Sequence, residues 1–166
     1  SSNQINVSFD GPGTINRNSD GTYGLTLANS AKPGTQGTII VSAAGNAPTR
    51  KAFRIKGIPD PIPRIGGIKE NKVGNGEFKA QLGIAAILEN FDFDAKCDIA
   101  GYTVTRVAKG EDLSEATNPG SRFAAEAARI ISLAKPGNLY LFSNIRCKCP
   151  GDEVNRRLGD ITISIQ

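Results

Sequence analysis

The chain has 166 residues, 20 basic against 16 acidic, for a net charge of +4. It contains no His, Trp or Met, so the commonest general base and metal ligand is missing and the case for an enzyme is weakened from the start. Apolar residues make up 39% and charged residues 22%. That is a globular composition, and nothing in it approaches the run of about 20 apolar residues that crosses a bilayer.

The length allows one large domain or two small ones. With 19 Gly and 9 Pro, turns and short strands are favoured over long helices. Ser1-Ser2-Asn3-Gln4 carries no signal peptide, which suits a cytoplasmic protein or a fragment of a longer exported chain.

In the first third, Ile5, Val7 and Phe9 alternate with polar residues and predict a half-buried strand that stops at Gly11-Pro12-Gly13. Asp20-Gly21 reads as a hairpin turn feeding Tyr23–Leu27. Lys32-Pro33-Gly34 is a turn. The β-branched run Thr38–Ala43 predicts a more fully buried strand. Ala52–Lys56 closes the set, with Phe53 and Ile55 inward. Four such strands suggest part of a β-sandwich, too few for a whole one, so truncation is expected.

Ile58-Pro59-Asp60-Pro61-Ile62-Pro63 changes the texture. Pro59, Pro61 and Pro63 cannot pair within a central strand, and they stiffen the backbone. With Asp60 they predict a semi-rigid connector over 58–64, between a domain at 1–57 and another at 65–166. A loop inside a single domain is the alternative.

Beyond it, Gly76–Leu82 predicts a short helix and Ile84–Phe93 a strand. The extended segment continues with Asp92, Asp94, Lys96 and Asp98 on one face and Phe91, Phe93, Ala95, Cys97 and Ile99 on the other. Tyr102–Val107 is another strand. Ser121–Ala134 is the one clear helix, with Phe123, Ala127, Ile130, Ile131 and Ala134 as its apolar stripe, Ser121 as N-cap and Lys135-Pro136-Gly137 as its end. Leu139–Cys149 predicts a long strand with Leu139, Leu141, Ile145, Cys147 and Cys149 on one face, and Asp160–Ile165 the closing strand. The fold class is mainly β with α+β, the second domain laying one main helix on an antiparallel sheet.

The candidates for chemistry are few. Glu89-Asn90-Phe91-Asp92-Phe93-Asp94 carries paired carboxylates that suit acid–base work or a hard cation. It lacks the spacing and terminal Glu of a calcium loop, and Asp92, Asp94 and Asp98 read better as a solvent-facing or partner-facing strip. Cys147-Lys148-Cys149 is not the C-x-x-C of redox or zinc sites, and three Cys without His cannot complete a zinc shell. Cys97, Cys147 and Cys149 are therefore small core side chains, or one bridge joins Cys97 to either of the other two. Gly66-Gly67 and Gly74-Asn75-Gly76 lack phosphate-loop spacing and read as turns. Ser and Cys nucleophile schemes fail for want of a His partner. No cofactor, metal or catalytic set is implied. Arg146, Lys148, Arg156 and Arg157 form a modest basic set with no aromatic residue in Cys147–Gln166, and so read as a solvated face rather than a nucleic-acid surface.

Four pieces of text carry a resemblance: Phe53-Arg54-Ile55-Lys56-Gly57-Ile58-Pro59-Asp60-Pro61; Leu88–Asp94; Lys135-Pro136-Gly137-Asn138 running into Leu139–Ile145; and Arg156-Arg157-Leu158-Gly159-Asp160-Ile161. In order and spacing they resemble the C-terminal periplasmic region of the GldM/PorM family over Lys51–Gln166, with a looser likeness over 1–50. Cys147-Lys148-Cys149 departs from the family pattern, so a bridge there is no family requirement. The resemblance implies the type IX secretion and gliding-motility machinery. It implies a dimeric periplasmic arm joined to GldL through an N-terminal inner-membrane segment absent from this chain. That arm reaches the outer-membrane-associated GldK–GldN ring and transmits force. Residues 1–57 would then end an immunoglobulin-like domain. A generic extracytoplasmic adhesion or carbohydrate-binding β module is the rival, disfavoured by only 6% aromatic residues. An Asp-dependent hydrolase is the third reading and needs the 89–94 carboxylates to converge in a cleft.

Overall fold

The computed structural model describes residues 4–166; Ser1-Ser2-Asn3, part of the segment expected to carry no signal peptide, lie outside them. Two compact units meet in sequence at Gly57, Ser1–Gly57 and Ile58–Gln166.

The first unit is all β. Strands β1 (Asn6–Asp10), β4 (Gln36–Ser42) and β5 (Thr49–Arg54) form an antiparallel sheet in the order β1-β4-β5, and β2 (Gly13–Arg17) pairs with β3 (Tyr23–Leu27) as a hairpin. The β2 strand is an addition to the predicted set: Gly11-Pro12-Gly13 turns the chain, with the Gly13 amide donating to the Gly11 carbonyl at 2.9 Å, and pairing resumes at once. Phe9 lies flat over this turn and over Gly37, where an added Cβ would stand 2.3 Å from the ring.

Two expectations fail here. Apart from Gly37 the β4 run is half-buried or, at Gln36 and Val41, exposed, and Phe53, expected inward, is 44% exposed. One cause explains both. A β-branched run registers high strand propensity whether or not a second layer covers it, and among the described residues of this unit no apolar side chain is buried.

The second unit holds the core. Its main sheet runs β10 (Ser114–Pro119), β9 (Asp98–Val107), β11 (Leu139–Lys148), β13 (Ile161–Ile165) and β7 (Lys72–Val73), with β12 (Arg156–Arg157) also paired to β11. All pairs are antiparallel except β13 with β7. A separate ribbon joins β6 (Ile62–Ile65) to β8 (Ile84–Ile87), and the helices are α1 (Asn75–Lys79) and α2 (Ala125–Ser132). This is the α+β arrangement predicted, with one main helix on the sheet.

Helix α2 buries Ala127, Ile130 and Ile131, with Ala134 just beyond its end. Beneath it Phe78, Tyr102, Tyr140 and Phe142 are fully buried, the Phe78 and Tyr140 rings 4.6 Å apart. Side chains of this size each contribute about 1.5–3 kcal/mol through burial, so the core is concentrated where sheet and helices meet. The Tyr140 hydroxyl donates to the Ile130 carbonyl at 2.7 Å, and burial pushes its pKa up to about 12. Tyr140 thus ties the helix to the central strand without titrating near neutrality.

The helix starts later than predicted, and Ser121 does not cap it. The cap residue is Ala124, which has no side-chain acceptor. Asn118, 1% exposed at the end of β10, takes that role: its Oδ1 accepts the Ala124 amide at 2.7 Å. Its Nδ2 donates to the carbonyls of Gly120 and Arg122 at 3.1 and 2.8 Å. One buried amide therefore satisfies an orphan helix donor and two loop acceptors together.

The long strand β11 also departs from simple alternation. Its inward residues are Tyr140 and Phe142, then Ile145 and Cys147, with Cys149 following. Asn144 has φ 51°, and the register with β9 shifts between Ser143 and Arg146. That bulge inserts one residue and reverses the parity of the strand. Leu139 and Leu141, expected to share a face with Ile145, lie on the other side.

Candidate functional site

The second unit opens on the proline-rich segment, and Arg156 from β12 meets it there. Pro59, Asp60 and Pro61 precede β6, while Pro63 lies inside it, opposite Ala86. Pro63 is tolerated there because β6 pairs only with β8 among the described residues, which makes it an edge strand. Pro61 is buried, and Asp60 is exposed.

The entering backbone is held by Arg156. Its Nη1 donates to the carbonyls of Ile58 and Pro59 at 2.8 and 3.1 Å and reaches Asp60 Oδ1 at 3.2 Å. Its Nε and Nη2 each donate to Asp152 at 2.8 Å, one to each carboxylate oxygen. Asp152 in turn accepts the Cys149 amide at 2.9 Å. A planar guanidinium can grip a carboxylate and two carbonyls at once because its donors lie in a fixed fork. The bond from Arg156 is the main reason Asp152 has its pKa below the ordinary value, against the opposing effect of burial, with the Cys149 amide assisting.

Arg156 thus corrects the solvated-face reading of the C-terminal basic set. Its side chain is 22% exposed and fully engaged. The i, i+4 spacing of Asp152 and Arg156 was the available signal, but nothing in the sequence points from there to Ile58, some 98 residues away.

The loop carrying Asp152 is fastened from its other side. Cys97 and Cys149 form a disulfide with their Cα atoms 4.1 Å apart, and Cys147 is a free, buried thiol. Burial is the leading reason the Cys147 pKa is raised, which keeps it a neutral core side chain.

The acidic strip is not a strand face. β8 ends at Ile87, Asn90 turns with φ 53°, and Phe91–Lys96 runs as a loop until Cys97 bridges Ala86 and β9 begins at Asp98. Alternation of Phe and Asp imitates strand periodicity, but a left-handed Asn breaks the extended backbone that periodicity requires. Asp92, Asp94 and Asp98 are exposed, as is Phe93 at 64%, and the Phe91 and Phe93 rings pack together at 5.3 Å. Glu89 pairs with Arg64. Among the described residues no group of three or more His, Cys, Asp or Glu could hold a metal ion. A depression of about 450 Å³ beside the disulfide is lined by Lys96, Asp98, Lys148 and Asp152, among others. Its charged groups balance, and Asp152 is already committed to Arg156.

A second ionic centre has the same structural character. Buried Arg106 donates to Asn138 Oδ1 at 2.9 Å and to Glu111 at 2.7 Å. Asn138 Oδ1 also accepts the Lys135 amide. The cluster fixes the turn between α2 and β11.

What this geometry defines is a β-rich α+β module whose polar clusters anchor backbone segments. The family model described as GldM C-terminal domain matches residues 59–166, and the chain belongs to that family, a component of gliding motility and type IX secretion. No curated protein matches the chain. Among the described residues no helix is long and apolar enough to cross a membrane.

Proposed function

We propose that this chain is a non-catalytic part of the periplasmic arm of the gliding and type IX secretion motor. It works as a homodimer, passing force from an inner-membrane complex that includes GldL to the GldK–GldN ring, which the C-terminal domain engages. The observation that carries the mechanical reading is the Arg156 anchor. Tension along the chain at Ile58 meets two carbonyl bonds to a guanidinium that is itself held by Asp152. Asp152 lies just beyond the Cys97–Cys149 bridge and accepts the Cys149 amide, so the load spreads into the sheet at β9 and β11. Proline at 59, 61 and 63 limits how far the entering segment can coil or stretch.

Pull-down of GldK and GldN by the folded dimeric arm tests the assignment. Retention of both ring proteins, lost when the second unit is removed, is the expected result. Failure of the intact arm to retain either one would remove the ring from the proposal. Sedimentation showing monomer alone would remove the dimer.

A further inference from the structure

Charge is divided unevenly between the two units. Residues 1–57 hold six basic and two acidic residues, and residues 58–166 hold fourteen of each, so the whole net charge of +4 belongs to the first unit. No acidic residue occurs between Asp20 and Asp60. Within that stretch Arg50, Lys51, Arg54 and Lys56 fall on or just after β5.

The placement of β5 gives this cluster meaning. Among the described residues it is the edge of the β1-β4-β5 sheet, paired only with β4, and all six of its residues are exposed. Ion pairs among the described residues engage Arg64, Arg106, Arg129 and Arg156, and none of the β5 cations. The Lys51 ammonium instead sits 5.7 Å from the centre of the exposed Phe53 ring. A free edge offers backbone donors and acceptors at strand spacing, and another extended chain can pair with them.

Charges on an edge strand ordinarily discourage pairing. Here all of them have one sign, which makes the edge selective. A second copy of β5 laid against it would set cations opposite cations, a destabilising arrangement. A neutral apolar strand would leave Arg50, Lys51 and Arg54 unpaired beside it. An acidic strand would pair with them on both faces, since Arg50 and Arg54 point to one side and Lys51 and Phe53 to the other. We propose that the free edge of β5 is a docking edge for an acidic, extended segment of another polypeptide. The segment adds as a fourth strand with its carboxylates opposite Arg50, Lys51 and Arg54.

Binding of fluorescent eight-residue peptides to the whole chain tests this. The probes are a Glu/Val peptide of repeat Glu-Glu-Val-Val, which carries carboxylates on both faces of a strand, its Gln/Val counterpart, and the Glu/Val peptide N-methylated at alternate amides; heparin serves as competitor. The Glu/Val peptide is expected to bind at least about tenfold more tightly than either of the other two and to slow amide exchange along 49–54. R50E/R54E is expected to lose that peptide and gain the corresponding Lys/Val peptide, a gain that an unfolded variant cannot show. Equal binding of the N-methylated peptide, with displacement by heparin, would overturn strand addition in favour of a general polyanion surface. Absence of binding by the Glu/Val peptide, or self-association through β5 that R50E/R54E changes, would overturn it as well.

Discussion

Arg156 and Asp152 meet through two parallel 2.8 Å bonds, Nε to Oδ2 and Nη2 to Oδ1, which leave Nη1 free to hold the Ile58 and Pro59 carbonyls. The pair is four residues apart in sequence, yet its effect falls at the start of the unit, where the chain enters.

Arg156→Lys is the most direct perturbation. A lysine ammonium has no planar fork, so it cannot span both carboxylate oxygens and both carbonyls together. The expected loss is about 2 kcal/mol, taking charge-assisted bonds at their usual strength, read as a lowered urea midpoint. Amide exchange through Asp60–Ile65 should quicken with it. Asp60→Ala touches the same arginine at an exposed position and should cost less than about 0.5 kcal/mol. Equal effects from the two substitutions would mean that the carbonyl bonds contribute nothing.

The anchor should also have an acid limit. Asp152 titrates below its ordinary value of 3.8, chiefly because it accepts bonds from Arg156. A depressed carboxylate contributes stability that is fully present above the unfolded pKa and lost as pH falls through the folded one. The contribution is therefore constant from neutrality to about pH 5 and declines below the ordinary 3.8. Asp152→Asn should be less stable than the parent at neutral pH, and the gap between the two should close as pH falls through the folded pKa. A parent curve with the same acid slope as the variant would contradict the assignment.

The disulfide spans 52 residues of sequence. Closing a loop of that length restricts the unfolded chain by about 4 kcal/mol on the loop-entropy account. Cys97→Ser or Cys149→Ser should therefore lower the melting temperature of the second unit by the equivalent of about 3–4 kcal/mol. Denatured, unreduced protein should take up alkylating reagent at Cys147 alone. Labelling at three sites would show that the bridge does not form in the purified protein.

Asn118 tests how helix α2 is started. Asn118→Ala removes the acceptor for the Ala124 amide and the donor to two carbonyls, an expected cost of about 3 kcal/mol for buried groups left unpaired. Asn118→Asp keeps the acceptor but sets a carboxylate oxygen among the carbonyls of Gly120 and Arg122. Its stability should be lower still at neutral pH and recover partly in acid, where a protonated carboxyl can donate. Equal stability of the two variants at pH 7 would show that the donor side is unimportant.

The sequence by itself determined the elements whose patterns are local. Alternation at Val7 and Phe9 marked β1, the stripe Ala127-Ile130-Ile131 marked the buried face of α2, and the run before Gln166 marked β13, because side-chain period and burial coincide there. It also narrowed the chemistry, since a chain without His offers few catalytic sets.

Other features were decided only by tertiary structure, since each depends on a partner far along the chain. Asn118 caps α2 across a loop, and one left-handed Asn at 144 reverses which residues of β11 face the core. Another at 90 breaks the strand that Phe91–Asp94 imitates. Phe53 is exposed in the described residues, a condition that strand propensity does not register. The lack of histidine leaves few routes to catalysis, but only the fold brings Arg156 to Ile58. Local periodicity reports which residues want burial; which backbone a guanidinium will hold depends on how distant segments are packed together.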